Sequence, residues 1–60
     1  MKNYWFTEHN TGEEFFVQTD TKEEAFAIAK GLDWEGEEPD LECHGAVSAD
    51  TADWMGLDTY

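Results

Sequence analysis

The sequence predicts a small α+β domain: a three-stranded antiparallel sheet with one main helix packed on it and a short C-terminal helix, in the order ββαβα. Three observations predict it. Two segments rich in β-formers flank a turn, a capped amphipathic segment follows them, and a third segment alternates after a loop. All of it falls in 60 residues, so a single domain spanning 1–60 is expected.

Residues 3–8 (Asn-Tyr-Trp-Phe-Thr-Glu) and 13–19 (Glu-Glu-Phe-Phe-Val-Gln-Thr) carry the aromatic and β-branched side chains that favour strands. Between them His9-Asn10-Thr11-Gly12 is turn chemistry, so the pair reads as a hairpin. Tyr4 and Phe6 share one face of the first strand and Trp5 takes the other. Phe15 and Val17 likewise oppose Phe16 in the second. Apolar groups therefore stand on both faces of the hairpin. Trp5 and Phe16 form either a second core layer under the C-terminal segment or a patch for a partner.

Thr21-Lys22-Glu23-Glu24 fits a capping box, with Thr21 as N-cap and the Glu24 side chain reaching back to it. Ala25, Ile28, Ala29 and Leu32 then recur at helical spacing, with Phe26 widening the stripe. Lys30 falls in the last turn, and Gly31 is placed to end the helix. Residues 33–40 form a loop by their Gly and Pro. Residues 41–47 alternate, placing Leu41, Cys43, Gly45 and Val47 on one face and Glu42, His44 and Ala46 on the other. Ser48 or Asp50 caps a short helix through Ala52 to Met55, ended by Gly56, and Leu57 and Tyr60 fold back onto the core. Trp54 and Met55, at helical spacing from Ala52, read as packing residues.

Charge sets the function classes. Fifteen acidic residues face three basic ones, for a formal net charge of −12, while 40% of residues are apolar. Phosphate backbones are bound by clustered Lys and Arg, so direct nucleic-acid binding is excluded. No apolar run is long enough to cross a bilayer, and no signal-peptide pattern is read, so no membrane partner is expected. One cysteine cannot close an internal disulfide, which suits a cytoplasmic protein. The nine aromatic side chains argue against disorder despite the charge.

The acids are unevenly placed. Residues 31–60 hold nine of them and no Lys or Arg, and six (Asp33, Glu35, Glu37, Glu38, Asp40 and Glu42) fall within ten residues. In extended chain, alternate side chains stand roughly 7 Å apart, the same order as successive phosphates on a nucleic-acid strand. A row of carboxylates at that pitch, with Trp34 inside it, is therefore the candidate partner-binding site. Trp34 either stacks on an arginine of the partner or anchors the loop. Read otherwise, the run is only a solvated loop. Asp33, Glu35 and Glu37 imitate the start of a calcium loop, but Glu38 and His44 occupy the positions where that loop needs Gly and Glu. Cys43 and His44 are adjacent and point to opposite faces of a strand, so they cannot act as nucleophile and base. No catalytic residue, metal site or cofactor is expected.

In size and charge the chain resembles the small acidic phage-encoded inhibitors that mimic DNA, anti-CRISPR proteins among them. The resemblance covers bulk properties of the whole chain and carries over no site residue. It implies an inhibitor that occupies the basic nucleic-acid-binding surface of a host defence complex, in the host cytoplasm if phage-encoded. The alternative reading is a small interaction or assembly module, a homodimer formed through the aromatic sheet face.

Overall fold

The computed structural model describes residues 1–34, 36 and 38–60. The elements are β1 (Lys2–Glu8), β2 (Glu13–Thr19), α1 (Lys22–Lys30), β3 (Leu41–Val47), α2 (Ala49–Met55) and β4 (Asp58–Thr59). They form an α+β fold with one sheet in the order β3-β1-β2-β4.

β1 pairs antiparallel with β2 and β3, and β4 runs parallel to β2. The sheet is thus four-stranded and mixed, where the sequence predicts three antiparallel strands. The fourth arises because Gly56 takes a left-handed conformation (φ 66°) and turns the chain back. Tyr60 then donates its amide to Phe16 O (2.8 Å) and accepts from Gln18 N (2.9 Å).

The core lies between one sheet face and α1. Register places Tyr4 opposite Val17 and Phe6 opposite Phe15. These four, with Ala25 and Ala29 of the helix, are the buried cluster. The two small alanines let α1 sit close to the sheet, and Phe26 meets Phe6 edge-on at 5.1 Å. The helical stripe is narrower than its spacing predicts, because Ile28 lies at its margin and is 40% exposed. Thr21 caps α1 through its hydroxyl, which accepts from Glu24 N. The Glu24 carboxylate does not reach back. It accepts instead from Thr19 Oγ1 at 2.8 Å, so only half of the capping box forms.

β3 departs from simple alternation. Trp5 pairs with Gly45 and Phe6 with Cys43, which leaves His44 as the extra residue of a β-bulge. Leu41 and Cys43 consequently pack on the core, while Gly45 and Val47 pair with Trp5 and Asn3 on the opposite face. The shared face predicted for Leu41, Cys43, Gly45 and Val47 is therefore corrected. Gly45, at φ +106°, makes the bulge possible.

Phe16 lies on that second face and is fully buried. Asn3 and Gln18 of this face line an open cleft together with Ala49, Ala52 and Leu57 of the C-terminal segment. Met55 and Ala52 are half-buried, but Trp54 is 86% exposed, so the packing role predicted for Trp54 is not what it has.

Candidate functional site

The centre of the acidic end is a residue that strand parity alone places inward. Glu8 follows Tyr4 and Phe6 on the core face of β1 and is 1% exposed. Its Oε1 accepts from the amide and hydroxyl of Thr11 (2.9 and 3.0 Å), and its Oε2 accepts from the amide of Asp40 (2.7 Å). Burial pushes this carboxyl's pKa up. Hydrogen bonds from the Asp40, Thr11 and Asn10 amides and from the Thr11 hydroxyl outweigh that, and the pKa lies below its ordinary value. The charged form is thereby held inside the fold, and it ties the 9–12 turn to the end of the 33–40 loop. His9 N donates to Asp40 O (2.9 Å), and Asn10 Nδ2 donates to Glu38 O (3.4 Å), closing the same junction.

Trp34 anchors the other end of the loop. Its indole Nε1 donates to Ala29 O at 2.7 Å, a carbonyl in the last turn of α1 that also accepts from Leu32 N at 3.3 Å. Its ring rests on Phe15 at 5.8 Å. Two adjoining clefts lie beside this ring and share Glu13, Asp33 and Trp34. One, of about 530 Å³, reaches towards Asn10 and Pro39. The other, of about 320 Å³, has Phe15 and Leu32 as its floor, and Glu14, Asp58 and Tyr60 complete its walls.

The predicted site residues are thus distributed over more than one surface. Asp33 and Trp34 come together at the clefts, beside Glu13. Glu38 and Asp40 are exposed at the junction held by Glu8. Glu35 and Glu37 lie outside the described residues. Glu42 stands on the far face of the sheet, opposite Thr7, where its carboxylate meets His9 Nε2 (2.7 Å) and His44 Nδ1 (3.7 Å). The Nε2 of His44 also lies 2.7 Å from Thr7 Oγ1, and its ring lies tilted by 39° against Trp5 with ring centroids 4.3 Å apart. Gly36 takes φ +83°, which breaks extended backbone inside the loop, and strand pairing begins only at Leu41.

Sequence reasoning missed Glu8, Glu13, Glu14, Asp58 and Tyr60 as parts of this end. Parity with Tyr4 and Phe6 was a usable signal for Glu8. Asp58 and Tyr60 arrive by the parallel pairing of β4 with β2, for which the local sequence holds no signal. Among the described residues, no three His, Cys, Asp or Glu side chains gather as metal ligands. No helix among the described residues is long and apolar enough to cross a membrane. Comparison of the chain with protein families, with curated proteins and with solved structures finds no match.

Proposed function

We propose that the chain is an acidic nucleic-acid mimic, which binds the basic nucleic-acid-binding surface of a host defence complex, of CRISPR type for example, and blocks it. The observation that carries this reading is the state of the carboxylates. Of the thirteen acidic residues with described placement, Glu8 alone is buried and twelve are exposed. Among the described residues, ion-pair contacts involve only the amino terminus and the two histidines, and no lysine neutralises a carboxylate.

Such a surface attracts a basic groove over distances of a Debye length and presents oxygens that guanidinium groups bind in pairs. Most of these carboxylates stand on strands, on helices or at the pinned ends of a loop, so less conformational entropy is lost on docking than for a disordered acidic tail. The chain carries no catalytic step in this reading.

The test is competition. The tagged chain is used to capture its partner from a bacterial lysate, and the captured complex is challenged with duplex DNA and with a salt gradient. Both should displace the partner. The triple reversal Glu35→Lys, Glu37→Lys and Glu38→Lys should abolish capture while leaving the circular dichroism spectrum unchanged. Binding indifferent to salt and to DNA would instead favour an interaction module of ordinary apolar character.

A further inference from the structure

The smaller cleft combines features that general acidity does not explain. Its floor is apolar: Phe15 is 3% exposed, and Leu32 is half-buried beside it. Two aromatic rings rest on Phe15, that of Trp34 at 5.8 Å and that of Tyr60 at 5.7 Å. Both are held from behind. The Trp34 indole N–H is spent on Ala29 O, and the Tyr60 backbone is hydrogen-bonded to Phe16 and Gln18 of β2. Tyr60 nevertheless leaves 53% of its surface to solvent. Three carboxylates, those of Glu13, Asp33 and Asp58, belong to its rim, and no basic residue among the described ones lines it. The Glu14 carboxylate is turned to the other face of the sheet, where it accepts from Trp5 Nε1 at 3.2 Å. The chain leaving the C-terminal end of α1 forms one wall, adding the partial negative charge of a helix terminus.

We infer that this cleft seats an arginine side chain of a partner protein, its guanidinium stacked between Trp34 and Tyr60 and its charge met by Glu13, Asp33 and Asp58. The inference rests on the mimic reading for where the arginine comes from. The cleft chemistry itself selects the group. Acidic rims repel anions, and a neutral apolar ligand would leave three carboxylates partly desolvated without a counter-charge. A cation with an apolar stem meets both demands, the stem on Leu32 and Phe15 and the charge at the rim. Between the two such side chains, the planar and weakly hydrated guanidinium stacks on aromatic faces and pairs with carboxylates through a fork, while the ammonium of lysine keeps its water. The volume of about 320 Å³ falls at the small end of ligand sites, which run to about 300–1,000 Å³.

The inference is tested on the full chain with two small probes, N-acetyl-arginine methylamide and N-acetyl-lysine methylamide, titrated at low salt and followed by amide and indole resonances. The arginine probe should shift residues 13–15, 32–34 and 58–60 and bind more tightly than the lysine probe. Tyr60→Leu keeps the backbone bonds of β4 and should weaken the arginine probe roughly two- to fivefold. Asp33→Asn with Asp58→Asn should weaken it at least as much. Asp50→Asn with Asp53→Asn, which removes the same charge from α2, should leave it unchanged. Shifts spread evenly over α2 and the first turn of α1 would overturn the inference. So would equal losses from the two double variants, or lysine binding as well as arginine. A cleft that ignores the arginine probe while DNA still displaces the captured partner defeats the inference and leaves the mimic reading standing. A cleft that binds arginine in a chain whose partner is insensitive to DNA and salt defeats the mimic reading alone.

Discussion

Glu8 Oε2 and the amide of Asp40 meet at 2.7 Å across 32 residues of chain. The other oxygen of the same carboxylate receives Thr11, so one side chain joins the hairpin turn to the point where the acidic loop returns to the sheet. A carboxylate is unusual inside a chain that already carries twelve surplus negative charges. It is tolerated because each oxygen faces donors, which replace the water it lost.

Removing those acceptors should loosen the junction first and the core second. Glu8→Gln keeps the shape but turns an NH2 group towards donors, and Glu8→Ala leaves the Thr11 and Asp40 amides without a partner. Both should lower the melting temperature, alanine more than glutamine. Amide hydrogen exchange should accelerate at Thr11 and Asp40 well before it does at Val17 or Ala29. Uniform acceleration along the chain would mean that Glu8 supports the whole fold rather than this joint.

The same residue sets a pH dependence of known sign. Its folded pKa is depressed below the unfolded value, which for glutamate is about 4.3. The stability it contributes is therefore fully present above that unfolded value and is lost as pH falls through the lower folded value. The difference in melting temperature between the native chain and Glu8→Gln should be constant from neutral pH down to mildly acid conditions and should shrink below that. A difference that grew on acidification would contradict the assignment.

Salt acts on the other twelve described carboxylates. They are exposed, and no lysine neutralises them among the described residues, so the compact state repels itself. At 0.1 M salt the Debye length is about 10 Å, shorter than the span of the domain, and much of that repulsion is screened. The melting temperature should rise between low and moderate salt, as scanning calorimetry would record. A flat or falling curve would show that the surface charges are locally compensated.

How much of this was legible in the chain follows from the range of each signal. The hairpin, α1 with its Thr21 cap, and α2 between Ser48 and Gly56 all depend on neighbours within a few residues, and they form where the sequence places them. Strand β4 depends on where a two-residue segment lands after a turn, and its partner β2 lies about forty residues earlier. The site divided in the same way. The acidic run is visible as composition, but the cleft at Trp34 draws Glu13 and Glu14 from β2 and Asp58 from β4, and only the folded sheet brings those together. Trp54 shows the converse limit: helical spacing with Ala52 and Met55 gives its phase on α2, but not which part of α2 the sheet covers.

The bulge in β3 offers the sharpest test of the sheet. Alternation from Leu41 to Val47 would put Cys43 and Gly45 on one face, yet the register advances by one between them, and Gly45 takes φ +106° to allow it. A β-carbon at Gly45 would meet no atom within 4 Å, so any cost of Gly45→Ala is conformational rather than steric. A backbone held in that region by a residue with a side chain costs about 1–3 kcal/mol, and chemical denaturation should show a loss of that order. Gly31→Ala serves as the contrast. Its φ is −80° and its added β-carbon would sit in ordinary contact, 3.4 Å from Ala27 O. That variant should be neutral or gain up to about 1 kcal/mol through the unfolded state. If Gly45→Ala matched the native chain instead, β3 would have to pair without the bulge. Cys43 could then keep its place on the core only if Gly45 and Val47 left the face of Trp5 and Asn3, and His44 would lose its ring contact with Trp5. The Trp5 and His44 ring resonances in the variant distinguish the two cases directly.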